Sequence, residues 1–230
     1  LDKNKHKFAG DKGRMKVAWS ATHQEFLLSD GYYFSGLYKE LTKRGVLIEE
    51  GDDFDRLFEY DVIIFNYPEN PFRVEEKKRI QKVLNEEKKK TIFTAHFRGK
   101  DGVFDVCNAI TQDFGITVLP EGVKDECCHL EDDSLIITTD NIKKYASNVK
   151  EVVFPYSAPL SLSDGVEVIL KGRDTAVSDS GEKAPILIAQ KSFESGSKLI
   201  VCGGCIFWDN FSLFRLDNLQ FVVNLILGNE

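Results

Sequence analysis

The residues able to do chemistry cluster just after apolar runs. Ser20, Thr22, His23, Gln24 and Glu25 follow KVAW, and Asn66, Tyr67 and Glu69 follow DVIIF; His96 and Arg98 follow TIFTA, while Cys205, Asp209 and Asn210 follow KLIVCGG. An imidazole such as His96 can donate to a ligand or act as an acid or base near neutral pH. It can also be a structural residue bonded to a loop carbonyl, and the sequence leaves both roles open. His23 and Glu25, two apart, would make an N,N,O set for a divalent ion if joined by His96. Three ligands scattered over two loops have no standard metal spacing, so neither a metal nor a cofactor is expected.

The five cysteines carry a weaker message. Cys202-Gly-Gly-Cys205 has the spacing of a redox or zinc half-site, and Cys127-Cys128-His129 would have to complete it. A reactive pair of this kind normally opens a helix, where the dipole lowers the thiol pKa; here it ends a strand pattern, so a structural role is expected. Cys107 shares the apolar periodicity of its neighbours and reads as core. The acidic stretch from Glu121 to Asp133 lacks the spacing and glycine of a calcium loop and reads as solvated. Asp217 is expected to cap the last helix, leaving Asp209 and Asn210 free to reach a crevice.

These clusters need elements to hold them. Strands are predicted at Lys16 to Ala21, Val46 to Glu49, Asp61 to Asn66, Thr91 to His96 and Ile116 to Leu119. The run DVIIFN is apolar almost throughout, as in a strand buried on both faces of a parallel sheet. A helix is predicted through Phe34, Leu37, Tyr38 and Leu41, with Ser29 or Asp30 at its start and Gly45 at its end. A second runs through Ile80, Val83 and Leu84, with Pro71 in its first turn; a third runs from Val103 to Phe114. Beyond residue 133 come β-rich pieces at Val152 to Pro155, Val166 to Lys171, Ala184 to Gln190 and Lys198 to Cys202, partly antiparallel, and a closing helix from Asp217 to Leu227. The pattern predicts an α/β fold of the flavodoxin-like or Rossmann-like kind, a three-layer parallel sheet with a β-rich C-terminal elaboration. In such a sheet ligands bind beyond the carboxyl ends of the strands, where His23, Glu25, Asn66, His96, Arg98, Asp209 and Asn210 all fall.

Composition narrows the function. The chain has 230 residues, 42% apolar and 29% charged, enough for one or two ordinary globular cores. We expect a single domain over residues 1–230, with residues 1–15 a flexible lead-in and 121–150 an acidic connecting segment. The net charge is −7, and all of the acidic excess lies after residue 115. The one lysine cluster, Lys88-Lys89-Lys90, sits beside Glu86 and Glu87 and reads as a solvated helix end, so a nucleic-acid partner is not expected. No apolar run approaches the roughly 18 residues of a membrane span, so no membrane insertion is expected. The first dozen residues are polar, unlike a secretory leader. An odd cysteine count favours a reducing, cytoplasmic setting; an extracytoplasmic one stays open if an upstream segment has been removed, as the initial Leu allows.

Taken in order, DGYYFSGLYKELTKRG, YDVIIFNYPENPF and TIFTAHF resemble the class I glutamine amidotransferase-like superfamily in its non-amidotransferase branches. Those branches include ThuA-like proteins, the trimerisation domain of some β-galactosidases and the amidotransferase-like domain of an intraflagellar-transport protein. The later stretches CNAITQDFGITVLPEG, APILIAQKSFESGSKLIVCGGCIFWDN and LDNLQFVVNLILG are more similar to uncharacterised bacterial and archaeal domains of this type and to the intraflagellar branch. The resemblance covers the whole chain. It implies a nucleophilic Cys at the elbow after the central strand, where this chain has Thr94-Ala95-His96-Phe97-Arg98-Gly99, so glutamine hydrolysis is not expected. ThuA-like proteins carry a His there too, which implies a binding role for His96. The expected function is a catalytically degenerate module that binds a small polar ligand, carbohydrate by analogy, or a protein partner, as a homo-oligomer or as part of a longer chain. The alternative is a hydrolase or other enzyme using His96 with His23 or Glu25 as acid and base or around a metal.

Overall fold

A computed structural model describes residues 13–229. The expected lead-in therefore lies almost entirely outside the described residues. In chain order the elements of the first half are β1 (Lys16–Ser20), α1 (Gly31–Lys43), β2 (Leu47–Gly51), β3 (Val62–Asn66), α2 (Val74–Glu86), β4 (Lys90–Thr94), α3 (Val103–Thr111) and β5 (Ile116–Val118). The second half adds β6 (Val123–Lys124), β7 (His129–Leu130), β8 (Asp133–Thr139), β9 (Val152–Pro155), β10 (Leu160–Leu162), β11 (Glu167–Lys171), β12 (Val177–Ser178), β13 (Ile186–Ser192), β14 (Lys198–Cys202) and α4 (Asn218–Leu227).

The main sheet runs β2-β1-β3-β4-β14-β13-β10-β5, with β11 paired on β13. Its first five strands are parallel and repeat the 2-1-3-4-5 order of flavodoxin-like sheets, β14 taking the last place. The remaining strands pair antiparallel. Both faces are covered. On one, Phe34, Leu37 and Leu41 of α1 pack with Phe221, Val222 and Leu225 of α4 against Trp19, Ile64 and Ile200. On the other, Ile80, Val83 and Leu84 of α2 and Val103, Cys107 and Ile110 of α3 pack against Ile63, Phe65 and Phe93. The expected three-layer α/β fold with a β-rich elaboration is thus present, and β3 is buried along its whole length, as its unbroken apolar run requires.

Several local expectations are corrected. Pro71 precedes α2, which starts at Val74 behind Arg73; the Arg73 amide donates to Glu76 Oε2 at 2.7 Å. Tyr38 of α1 is half exposed, although Phe34, Leu37 and Leu41 are buried as expected. Asp217 does not cap α4 with its side chain. Its carboxylate instead accepts the amides of Lys150 and Glu151. The lysine cluster is only partly a solvated helix end, because Lys90 opens β4 and its ammonium donates to the carbonyls of Leu225 and Ile226 at the negative end of α4.

The acidic segment is not a plain solvated connection: residues 123–139 form β6, β7 and β8. Within it Asp125 is wholly buried, accepting the amides of Cys127 and Cys128 and the hydroxyl of Thr175. β7, β8 and β9 make a separate antiparallel sheet at the carboxyl ends of the parallel strands.

Candidate functional site

The site is built from three walls. The first starts at β1, where the buried Trp19 indole donates to the Phe26 carbonyl at 2.7 Å and draws the β1–α1 loop down onto the sheet. The Phe26 amide donates to the Asn66 carbonyl, and the Phe26 ring stacks on Tyr67 with centroids 4.7 Å apart. Tyr33 and Phe34, at the start of α1, complete this wall.

The second wall follows β14. The chain turns at Gly203, where a Cβ would lie 1.9 Å from the Ala158 carbonyl oxygen, and delivers Cys205 and Ile206. A run of tight turns then presents Asp209, Phe211, Ser212 and Arg215. The third wall is the small sheet, with Glu131 in the β7–β8 turn, Ile136 on β8, and Pro155 and Tyr156 at the end of β9.

Between the walls, past the ends of β3, β4 and β14, lies a cavity of about 440 Å³. This is the size of a small-molecule site, and it lies where an open parallel sheet places one. His96 is the second residue past β4. Its Nδ1 lies 3.8 Å from the Cys205 thiol and its ring meets Tyr67 edge-on at 5.6 Å; among the described residues no loop carbonyl bonds to it. Burial, helped by Lys100 and opposed by Asp101, lowers its pKa, and burial pushes the Cys205 thiol up. The pair is therefore neutral imidazole beside neutral thiol near pH 7.

Asp209 is 5% exposed. Its Oδ1 accepts the amides of Phe211 and Ser212 at 2.9 and 3.1 Å. Burial nevertheless raises its pKa to about 6, against the opposing pull of those amides and of Arg215. Arg215 pairs with Glu131 across the rim. Two ring-bearing residues of the lining, Tyr67 and Tyr156, have left-handed backbones, with φ of 64° and 46°. Bulky residues seldom adopt that conformation, and such strain concentrates at ligand sites. Each phenol is anchored to a carboxylate, Tyr67 on Asp101 and Tyr156 on Asp133.

The structure thus brings His96 and Asp209 together in one cavity and places the other five sequence candidates elsewhere. His23 is buried against Phe72, ring on ring at 3.9 Å, with Nε2 3.2 Å from Glu76. Glu25 folds back to accept the His23 amide at 2.6 Å. Asn66 lies beneath the site, its Oδ1 taking the Thr94 hydroxyl and the Trp208 indole. Arg98 points away into a two-bonded ion pair with Asp179, both bonds 2.7 Å. Asn210 staples the β14–α4 segment to α1, its Oδ1 accepting from Gly36 and its Nδ2 donating to Gly31 and Tyr32.

Among the described residues no cluster of three or more His, Cys, Asp or Glu is placed to hold a metal, and no helix is long and apolar enough to cross a membrane. The sequence reading missed the aromatic lining. Phe26, Tyr33 and Phe211 lie in loops and at a helix start, where periodicity says nothing about direction. Tyr67 was singled out for its place immediately after the most apolar strand, but not as part of an aromatic wall.

A flavodoxin-like sheet, extended by antiparallel strands and roofed over one cavity, defines the class of this protein. The mmIFT52 N-terminal domain has this fold, with a TM-score of 0.78 over 92% of this chain and 96% of that one at 16% identity. A putative ThuA-like protein from Bacteroides uniformis ATCC 8492 superposes with a TM-score of 0.53, at 13% identity over 94% of this chain and 93% of that one. The GH42 β-galactosidase Gan42B superposes with a TM-score of 0.50 at 12% identity, over 93% of this chain and 29% of its own. The expected likeness to ThuA-like and intraflagellar-transport domains is therefore seen in the fold. No protein-family model matches the chain. An uncharacterised protein of Aquifex aeolicus (strain VF5) is 36% identical over 220 residues, 92% of this chain and 93% of that protein, and the chain belongs to its family.

Proposed function

We propose that this chain is a non-catalytic, amidotransferase-like module that binds a small molecule in the cavity beyond β3, β4 and β14. The observation that carries this reading is the cavity itself, with its aromatic walls, its buried carboxylate and the strained Tyr67 and Tyr156. A non-catalytic role is supported by the elbow, where His96 stands in place of a nucleophile, and by the burial that keeps the neighbouring Cys205 a thiol and not a thiolate. An acid–base partnership of His96 with His23 or Glu25 has no support from the geometry, since both are committed to bonds outside the cavity. A role in protein assembly is the second reading. Tyr32, Phe211 and Phe214 are 67%, 50% and 59% exposed, and Tyr32 and Phe211 touch beside the cavity mouth.

The test is a thermal-shift screen of wild type and His96→Ala against sugars, nucleotides, amino acids, organic amines and divalent metals. A ligand at 100 times its Kd stabilises a protein by about 2.7 kcal/mol, a shift of several degrees. A shift in the wild type that shrinks in His96→Ala supports the cavity as the site. A shift of equal size in both proteins moves the site elsewhere, and no shift with any compound favours assembly.

A further inference from the structure

Rings form a connected belt around the cavity. Tyr67 stacks on Phe26 at 4.7 Å, Phe26 meets Tyr33 at 5.9 Å, and Tyr33 meets Phe211 at 6.3 Å between centroids. Tyr156 stands in the wall formed by the small sheet. The face of an aromatic ring is negative and attracts a cation placed over it, most strongly where water is excluded.

The charges of the lining point the same way. Arg215 is engaged by Glu131, so that pair contributes no net charge. His96 is held neutral by burial. What remains is Asp209, nineteen-twentieths buried and, among the described residues, without an ion-pair partner. A buried carboxylate is costly to ionise unless a cation comes to meet it. Among the described residues no cation pairs with it, and Arg215, which acts on it from a distance, is bonded to Glu131.

We propose that the cavity binds a small organic cation, an amine or a quaternary ammonium, with Asp209 as its counter-ion and the belt from Tyr67 to Phe211 as its cage. This deepens the ligand-binding reading and rests on it. A neutral polar ligand would satisfy the rings but leave the carboxylate uncompensated. An anion would face both Asp209 and the ring faces. The raised pKa of Asp209 agrees with a carboxylate that lacks its partner.

The experiment uses matched probes that differ only in charge, measured by calorimetry at pH 7.5: choline against 3,3-dimethyl-1-butanol, and benzylamine against benzyl alcohol, with a panel of neutral sugars beside them. On the wild type at least one cation should bind ten-fold or more tightly than its neutral twin. Asp209→Asn keeps the Oδ1 acceptor for the Phe211 and Ser212 amides and should weaken the cation ten-fold or more while leaving the neutral twin unchanged. Phe211→Leu, at a half-exposed position, removes one ring without burdening the fold and should weaken the cation more than the twin. Equal binding of cation and twin, or unchanged cation binding in Asp209→Asn, overturns the charge assignment while the cavity survives as a neutral-ligand site. Binding of a sugar without either cation has the same meaning. If no probe of any kind binds, the cavity reading falls with the proposal.

Discussion

Asp209 sits between opposing influences: burial disfavours its charge, while two amides and Arg215 favour it. Burial wins, and the folded-state pKa of about 6 lies above the ordinary 3.8. The folded state therefore holds its proton more tightly than the unfolded chain does. By linkage, stability falls as pH rises from about 4 to about 6 and then levels off. Urea melts of wild type and Asp209→Asn across pH 4 to 8 should show that fall in the difference between the two proteins, which cancels the titration of every other group. The other titratable groups facing Asp209 do not mimic it, because the Cys205 thiol is pushed far above this range and Arg215 stays charged throughout. His96, whose pKa is lowered, titrates with the opposite sign: protonation at low pH favours the unfolded chain. A difference between wild type and variant that stays flat or rises across this window would overturn the assignment.

Among the elements, the β14 turn has the least freedom. The Gly203 amide donates to Leu187 and its carbonyl accepts from Ala158, both at 2.8 Å, so the backbone is pinned on two sides. A methyl group there would collide with a main-chain carbonyl that cannot swing aside. Overpacking of this kind costs about 1–3 kcal/mol, and a backbone neighbour puts Gly203→Ala at or above the upper end. Chemical denaturation measures it, and a loss under about 1 kcal/mol would show that the turn can shift. The parallel core was legible in the sequence because β3 is an almost unbroken apolar run, β4 carries Ile92 and Phe93 between buried threonines, and α1 and α2 carry clean helical spacing. The small sheet was not. β7 is two residues long, and β8 begins inside a segment whose charges suggested solvent, while Asp125 and Asp133 were in fact making turn and phenol bonds. For the site, His96 and Asp209 line one cavity past the ends of β4 and β14, where the topology of a parallel sheet directs them. His23 and Arg98 turn elsewhere, in directions set by Phe72 and Asp179, partners far away in sequence and so not legible from local spacing.

At the scale of the whole molecule, the two halves of the chain are interleaved. β4 and β5, from the first 120 residues, take their neighbours β14 and β10 from beyond residue 150. The chain should therefore behave as one cooperative unit. Residues 13–120 and 121–229 expressed separately should each fail to give a native-like near-ultraviolet circular dichroism spectrum, whereas the intact chain should unfold in one transition followed identically by fluorescence and circular dichroism. A stable fragment from either half would show that the acidic segment joins two independent domains.

The late arrival of β14 also bears on how the protein is made. A ribosome releases β1 to β4 long before residue 202 emerges, and until then β4 has an open apolar edge where its permanent neighbour belongs. Closure of that edge must wait for contacts more than 100 residues apart, which slows folding and leaves time for wrong pairings between nascent chains. Synthesis at high temperature or high expression level should therefore depend on chaperones that shelter the unfinished sheet, even though in the completed one β4 and β14 are buried beyond their first residues.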